Sequence, residues 1–363
     1  MKVLHVIWSA TIGGIERVVM DLINRQNKNP HLEVSLLIGK TEGELLPSFA
    51  SLHIEVYTLG LKSGNEFSIS KYQKAKKIFS EQDIIHIHSF NPLICRAAKS
   101  SGKKIIYTEH GNFGIGKQKT WRDKIVKHLQ KQFLNNSVDQ LLFNSHFSQK
   151  QSELLYGLTN VKRKVIYNGI PLKQEMLQAP ADLKTMLDGT FVVGTIARLA
   201  GVKRIDRLLK SYALFSEGKN CKLLLIGDGP LMSELKALAE KLGIIGSTLF
   251  AGYRKDARSC LQLMNVCAFP SEKEAFGLVA IEAWDAGKPV VVFNDAGGLA
   301  ELVNAMDKND ITSNESEFAE RLNYYYYHPS TTVDVERRKE FAGRFSIEKM
   351  ENEIYSVYSD VRN

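Results

Sequence analysis

Short apolar runs alternate with amphipathic stretches along most of this chain, and this alternation constrains the fold more than any other feature. The runs are rich in Val, Ile and Leu, and roughly ten to twenty residues separate one from the next. Continuous apolar runs are typical of parallel strands that helices cover on both faces. The sequence therefore predicts an α/β fold built from doubly wound parallel sheets.

Two such sheets are predicted, because the pattern restarts near the middle of the 363 residues. Strands are predicted in the first half near residues 2–7, 32–38, 53–58, 83–87, 104–108, 139–143 and 163–167, with helices starting near Gly14, Ser68, Asn91, Gln118 and Ser145. Strands are predicted in the second half near 190–196, 222–226, 248–250, 265–269 and 289–293. Asn168-Gly169 and Pro171 mark the expected connection between the halves. After about residue 313 the pattern is helical and ends in a stripe between Phe345 and Val361.

The composition argues against several classes of protein. The cysteines do not form a Cys-x-x-Cys pair, which argues against a zinc site, a redox motif or a disulfide framework. The apolar run Val3–Trp8 is too short for a secretion signal or a membrane span, and no later segment reaches the ~18 apolar residues of a transmembrane helix. We therefore expect a cytoplasmic protein.

Positive charge is concentrated in the first half of the chain. Residues 1–170 hold 24 Lys and Arg against 13 Asp and Glu, whereas the remainder holds 24 against 27. A basic half favours an acidic partner, which is a phosphate-bearing ligand, an anionic lipid surface or a nucleic acid. The alternative is that these lysines only keep the protein soluble.

Glycines stand at two predicted ends of strands. Gly13 and Gly14 lie between the first strand and its helix, where a close backbone approach and a helix N-terminus suit a phosphate. Gly227 and Gly229 lie in a similar turn of the second half, where backbone N–H groups are expected to face a ligand. At Gly13-Gly14 a tight turn without a ligand is the alternative, since this segment is not a GxGxxG fingerprint.

Two cations follow the first strand of the second half. Arg198 is suited to grip two phosphate oxygens, and Lys203 acts as a point charge, so a diphosphate is the natural ligand. Solvated surface cations are the alternative.

Two carboxylates follow the strand near 265–269. Glu274 is expected in a loop, and Glu282 is expected in the helix after it, among Leu, Val, Ile, Ala and Trp residues. Carboxylates are rarely buried without a partner, and a hydroxyl-rich ligand would supply one. The alternative for Glu282 is the exposed stripe of a surface helix.

Together these motifs resemble, in order and over nearly the whole chain, the retaining glycosyltransferases of family 4. The resemblance implies the GT-B fold, in which two Rossmann-like domains face a central cleft. It implies an acceptor-side domain formed by residues 1–169 with a returning helix at 345–363, and a nucleotide-sugar donor domain at 170–344. It also implies transfer of a sugar to a hydroxyl acceptor, such as a lipid-linked or glycan precursor, with retention at the anomeric carbon.

The resemblance also implies roles for individual residues. Arg198 and Lys203 correspond to the pair that neutralises the donor diphosphate. Glu282 corresponds to the ligand of the ribose hydroxyls, and Glu274 to the residue that holds hydroxyls of the donor sugar.

Further correspondences come from backbone segments. The backbone of Ala275, Phe276 and Gly277 corresponds to the family segment that lies next to the donor sugar and diphosphate. Tyr253 borders the nucleobase, and Gly14 belongs to a loop that closes over the diphosphate.

One histidine matches the family pattern, and one residue differs from it. His110 matches the histidine near donor sugar and acceptor, although from its residue type alone it is a lone histidine with no partner, which favours a structural role. The family has glycine after the phosphate-binding lysine, and Arg204 stands there in this chain.

The expected enzyme is independent of metals, because no Asp-x-Asp follows a predicted strand to hold a divalent cation. Nucleotide-diphosphate sugar is then the co-substrate, and no cofactor is expected. The alternatives are a sugar-nucleotide epimerase or a phosphorylase on the same fold, and, from another class, a non-catalytic nucleic-acid-binding protein. No motif for binding nucleic acid is evident.

The segment 116–133 is predicted to be an amphipathic helix. Trp121, Ile125, Leu129 and Phe133 recur every fourth residue, and Lys and Arg crowd the other faces. This pattern is typical of a helix in the headgroup region of an anionic bilayer. The alternative is that the apolar stripe packs against the N-terminal sheet.

Overall fold

The computed structural model describes residues 1–64, 66–111, 120–172 and 178–362. The chain divides into two compact units. The first unit comprises Met1–Pro171 with Ser346–Asn363, and the second comprises Leu172–Phe345.

The sheet of the first unit is parallel throughout and has seven strands. The strands are β1 Lys2–Ile7, β2 Glu33–Ile38, β3 Glu55–Thr58, β4 Ile84–Ile87, β5 Lys104–Glu109, β6 Gln140–Phe143 and β7 Lys162–Val165. Their order is β3-β2-β1-β4-β5-β6-β7. The strand order therefore reverses between β1 and β4, which is the switch point where doubly wound sheets bind ligands.

The sheet of the second unit repeats this plan with six parallel strands. The strands are β8 Phe191–Ile196, β9 Cys221–Ile226, β10 Thr248–Gly252, β11 Val266–Phe269, β12 Val290–Phe293 and β13 Ile311–Thr312. Their order is β10-β9-β8-β11-β12-β13, so that the switch point lies between β8 and β11.

Helices connect the strands and cover the sheets. They are α1 Gly14–Gln26, α2 Leu46–Ala50, α3 Ile69–Ser80, α4 Pro92–Ser100, α5 Trp121–Asn136, α6 His146–Tyr156, α7 Ala181–Leu187, α8 Ile205–Ser216, α9 Met232–Lys241, α10 Ala257–Cys260, α11 Leu278–Asp285, α12 Gly298–Met306, α13 Glu315–Tyr327, α14 Thr332–Gly343 and α15 Ile347–Arg362. A 3₁₀ turn, Gly201–Lys203, precedes α8. None of the helices in the described residues is long and apolar enough to span a bilayer.

The doubly wound α/β prediction is confirmed, and each predicted strand is present within a few residues. Side-chain caps explain why the starts of several helices could be predicted from the sequence. Ser68, Asn91 and Ser145 each accept a hydrogen bond from the backbone N–H three residues later. The predicted start at Gln118 lies outside the described residues, and α5 begins at Trp121 behind a Thr120 cap. The two-residue strand β13 was not predicted, because it has no apolar run.

The cores are formed by the apolar faces of these strands and helices. Leu4, Val6, Ile85 and Ile87 lie in the first core. In the second core, Phe293 stacks on Phe318 with ring centroids 4.7 Å apart. The cysteines are all buried and free, as expected for a chain without a disulfide framework, and they are Cys95, Cys221, Cys260 and Cys267.

Candidate active site

In the second unit, two loops meet at the switch point of the sheet. Residues 197–204 follow β8, and residues 270–277 follow β11, its neighbour. The second loop is held to the first by a hydrogen bond from the N–H of Glu272 to the carbonyl of Val202, 3.0 Å. These are the loops that carry the predicted cations and the predicted loop carboxylate.

Lys203 and Glu274 contact each other across these loops. Nζ of Lys203, at the end of the 3₁₀ turn, donates a hydrogen bond to the Glu274 carboxylate. Both side chains remain about a quarter exposed. The backbone of Glu274 is fixed on its other side, because its N–H donates to Ala296 at 3.1 Å and its carbonyl accepts from Gly298 at 2.7 Å. The structure thus joins a cation and a carboxylate that the sequence assigned to different parts of a ligand.

Arg198 lies on the same loop and is exposed. It forms no ion pair with any residue in the described part of the chain. Its neighbour Leu199 donates to the carbonyl of Asp228 at 2.9 Å and accepts from the N–H of Leu231 at 3.1 Å. The backbone that carries Arg198 is therefore ordered, while its guanidinium is available to a ligand.

Gly227 and Gly229 have a packing role in this arrangement. A Cβ atom on Gly227, where φ is +128°, would lie 2.0 Å from the carbonyl oxygen of Ala197. A Cβ atom on Gly229 would lie 2.4 Å from the carbonyl oxygen of Leu199. Glycine is thus required for this turn to pack against the Arg198 loop.

The entry into α11 also depends on a glycine. Gly277 has a φ of +122°, and a Cβ atom there would lie 2.7 Å from a methyl carbon of Leu299. Phe276 before it is buried, with its ring centroid 6.3 Å from that of Phe345. Ala275 and these two residues thus place the N-terminus of α11 directly after the Glu274 loop.

Glu282 is buried in α11, with 6% of its surface exposed. Its neighbours Ile281 and Ala283 are fully buried, which rules out the exposed-stripe alternative. Tyr253 differs, because it directly follows β10 and is 59% exposed. Its aromatic face is open to a planar ligand.

Arg204 adopts the backbone that a glycine would take. Its φ is 46° and its ψ is 41°, in the left-handed region that favours glycine. The guanidinium bonds Asp206 at 3.1 and 3.3 Å and Glu272 at 3.1 Å. The departure from glycine at this position therefore leaves the turn intact, and the ion pairs offset part of its strain.

In the first unit, Gly13 and Gly14 lie at the start of α1, after the loop that follows β1. Gly13 is the N-cap in extended backbone, and a Cβ atom there would lie 2.4 Å from a carboxylate oxygen of Glu16. Gly14 is exposed, with no atom within 4 Å of a Cβ position. Burial raises the pKa of Glu16, which lies in the first helical turn. The exposed N–H groups here suit an anion.

His110, directly after β5, is bonded to another histidine, so the expectation that it has no partner was wrong. Its Nε2 lies 3.0 Å from Nδ1 of His88, which directly follows β4. Burial lowers the pKa of His110 to about 4. The sequence reasoning missed this partner because 22 residues separate the two, although His86-x-His88 in an apolar strand was a visible signal.

Two family models match this chain. "Glycosyltransferase Family 4" matches residues 12–174, and "Glycosyl transferases group 1" matches residues 184–341. The chain belongs to the group 1, family 4 glycosyltransferases. It is an enzyme of the hexosyltransferase type, as its sequence predicts, and the epimerase, phosphorylase and nucleic-acid alternatives are not favoured.

Individual relatives agree with this assignment. This glycosyltransferase is 24% identical over 318 residues to the putative glycosyltransferase EpsD of Bacillus subtilis, covering 81% of this chain and 82% of EpsD. It is 25% identical over 293 residues to the N-acetyl-alpha-D-glucosaminyl L-malate synthase of Bacillus anthracis, covering 77% and 75%. The crystal structure of Anabaena HepE with UDP and glucose matches at a TM-score of 0.83 and 21% identity, over 99% of this chain and 100% of HepE. The fold is the GT-B type.

Helix α5 of the glycosyltransferase borders an apolar groove. Trp121, Ile125 and Leu129 are 67%, 47% and 40% exposed, and in α5 only Phe133 and Leu134 are buried. The alternative, that the stripe packs against the sheet, therefore applies to Phe133 but not to Trp121, Ile125 and Leu129. The groove has a volume of about 990 Å³ and lies between α3, α4 and α5. Residues 116–119 of the predicted helix lie outside the described residues.

Proposed function

We propose that this glycosyltransferase moves a hexosyl group from a UDP-sugar to a hydroxyl acceptor with retention at the anomeric carbon. The contact between Lys203 and Glu274 carries the proposal. It sets a cation suited to phosphate beside a carboxylate suited to sugar hydroxyls, at the edge of the sheet where ligands bind. HepE was crystallised with UDP and glucose, which supports the choice of donor.

Arg198 and Lys203 are proposed to bind the diphosphate. Negative charge on the leaving phosphate grows as the bond to the sugar breaks, so fixed cations stabilise the transition state more than the ground state. The N-terminus of α11 adds backbone N–H groups and a partial positive charge. We propose that these groups compensate the charge without a divalent metal.

The carboxylates are proposed to hold hydroxyl groups. Glu274 accepts hydrogen bonds from the donor sugar, and buried Glu282 accepts them from the ribose. Tyr253 stacks on the base. The first unit, with Gly13, Gly14 and His110, is proposed to serve the acceptor side, and the second to serve the donor.

The acceptor is proposed to be a lipid-linked or glycan precursor. The groove beside α5 is lined by Phe90, Leu93 and Leu129, with Arg96 and Arg122 at its polar positions. Apolar walls with cations suit a long hydrocarbon chain that carries a phosphate. We therefore place the enzyme at the inner face of an anionic membrane, with α5 against the lipid.

A donor screen tests the reaction. The protein is incubated with UDP-glucose and other nucleotide sugars, and release of sugar and nucleotide is followed with and without EDTA. We expect UDP and a sugar of unchanged anomeric configuration, at a rate that EDTA alters by less than about twofold. An epimerised donor, a need for inorganic phosphate, or loss of activity with EDTA that Mg²⁺ restores would each contradict part of the proposal.

A further inference from the structure

A chain of hydrogen-bonded side chains runs from the end of α1 to His110. Oε1 of Gln26 lies 2.7 Å from Nε2 of His5, and Nδ1 of His5 lies 2.9 Å from Nε2 of His88. Nδ1 of His88 lies 3.0 Å from Nε2 of His110. Gln26, His5 and His88 are buried, so water does not compete for these bonds.

A side branch of hydrogen bonds begins at the other end of the Gln26 amide. Its Nε2 donates to the Tyr358 hydroxyl at 3.4 Å, which leaves Oε1 toward His5. The Tyr358 hydroxyl lies 2.7 Å from Nδ1 of His86, and Nε2 of His86 lies 2.7 Å from Oγ1 of Thr108. Every bond in this branch is satisfied when Tyr358 donates to His86 and His86 donates to Thr108.

The orientation of the Gln26 amide determines which ring nitrogen of each histidine carries the proton. A neutral imidazole has one N–H and one lone pair, and an amide oxygen only accepts. His5 therefore donates from Nε2 to Gln26 and accepts at Nδ1 from Nε2 of His88. His88 in turn accepts at Nδ1 from Nε2 of His110. A reversed amide at Gln26 would reverse every one of these bonds.

The histidines are neutral near pH 7. Burial lowers the pKa of His5 and of His110 to about 4. The pKa of His88 is held well below its ordinary value by burial and then by the neighbouring His86, His5 and His110. Each ring therefore holds one proton, as the chain requires.

We propose that Gln26, acting through His5 and His88, holds His110 in the Nε2–H tautomer and leaves Nδ1 as a hydrogen-bond acceptor for a substrate hydroxyl. The Nδ1 atom of His110 makes no hydrogen bond within the described residues. Gln26, His5 and His88 are thus positioning residues. The substrate contact rests on the proposed function, whereas the tautomer does not.

A metal ion is the alternative occupant of this cluster. Ligand atoms of His5, His86 and His88 all lie within 4.8 Å of one another. However, each ring nitrogen of these three residues already has a hydrogen-bond partner at 2.7 to 3.0 Å. All of these nitrogens are satisfied without an ion, which favours the chain of hydrogen bonds over a metal site.

Nitrogen-15 NMR of the histidine-labelled wild-type protein tests the tautomers without any substrate. Ring nitrogens with and without a proton have distinct shifts, and His110→Asn assigns the last member of the chain. We expect neutral rings protonated at Nε2 in His5, His88 and His110 at pH 7. A proton on Nδ1 of His88 or His110, or a charged ring, would overturn the proposal even if the enzyme transfers sugar as proposed.

Three variants connect the tautomer with catalysis. Gln26→Met removes the acceptor at similar volume, and we expect mixed His110 tautomers and kcat lowered roughly tenfold or more with little change in the donor KM. Gln26→Glu keeps an acceptor there and should recover most of kcat. Thr312→Val removes a comparable buried hydrogen bond outside this network, from Oγ1 to the carbonyl of Val292 at 3.1 Å, and should change kcat by less than about twofold.

Two outcomes of this series would contradict the proposal that Gln26 sets the tautomer of His110. One is a kcat for Gln26→Met equal to that of the wild type, and the other is an equal loss in Gln26→Met and Thr312→Val. Melting temperatures show whether each variant is folded. If a variant does not fold, the nitrogen-15 spectrum of the wild-type protein still determines the tautomer of His110.

Discussion

Nζ of Lys203 donates a hydrogen bond to the carboxylate of Glu274, although 71 residues separate them in the chain. The pair joins the loops after β8 and β11. In the proposed reaction, an entering diphosphate would compete with Glu274 for the same ammonium group, and the Glu274 charge would also repel it. We therefore expect the carboxylate to weaken binding of the bare nucleotide, while in the proposed reaction it holds the sugar.

Glu274→Gln should accordingly bind UDP a few-fold more tightly than the wild type and transfer sugar more slowly. The gain is expected to be small, since the pair is partly exposed and such pairs contribute about 0 to 1 kcal/mol. Calorimetry with UDP measures it. Glu272→Gln, on the same loop but paired with Arg204, is the matched control. Weaker UDP binding in Glu274→Gln would contradict the competition.

Arg204→Gly and Arg204→Ala should differ in stability. Both remove the ion pairs to Asp206 and Glu272, but alanine keeps the left-handed backbone strain and glycine relieves it. We expect glycine to have the higher free energy of unfolding, by about 1 to 2 kcal/mol. Urea unfolding of the two variants measures this difference. Equal stabilities would show that the turn relaxes at no cost.

Acid should destabilise the protein through its buried histidines. An unfolded histidine takes up a proton near pH 6.5, whereas folded His5 and His110 stay neutral to about pH 4. The free energy of unfolding therefore falls as the pH drops from 6.5 toward 4, by up to about 1.4 kcal/mol per pH unit for each histidine.

Unfolding at pH 7.5 and 5.5 tests this, with His86→Gln compared with the exposed His31→Gln. Burial also holds the pKa of His86 well below its ordinary value, so His86→Gln should lessen the pH dependence. His31→Gln should not. The same pH dependence in both variants would contradict the account.

The sequence predicted most of the fold because most of the strands carry an apolar run of their own. It placed Lys203 and Glu274 after two predicted strands of the second half but not in contact, since a contact across two loops depends on the strand order and on the packing of both backbones. The αL backbone of Arg204 also depends on tertiary contacts, here with Glu272. The histidine chain joins a residue inside β1 to residues that directly follow β4 and β5. His5 in the apolar run Lys2–Ile7 was its only local sign besides His86-x-His88.

The exposed face of α5 should hold the enzyme on anionic vesicles. Each Lys or Arg near such a surface adds about 1 kcal/mol, and α5 carries Arg122, Lys124, Lys127 and Lys131. Flotation with phosphatidylglycerol vesicles should recover the protein at low salt and lose it at high salt. Ile125→Asp should weaken recovery, whereas Leu154→Asp, an exposed site on α6, should not. Equal recovery on zwitterionic vesicles would favour a soluble acceptor.

The donor site itself is tested most directly by steady-state kinetics of Lys203→Met and Glu282→Gln with the UDP-sugar found in the screen. Lys203→Met should lower kcat roughly 100-fold, because its charge acts as the diphosphate leaves. Glu282→Gln should mainly raise the donor KM, by about tenfold, because the ribose hydrogen bonds are made in the ground state as well. Lys210→Met, which removes an exposed charge from α8, should match the wild type. Wild-type kinetics in both site variants would contradict the assignment of the donor site.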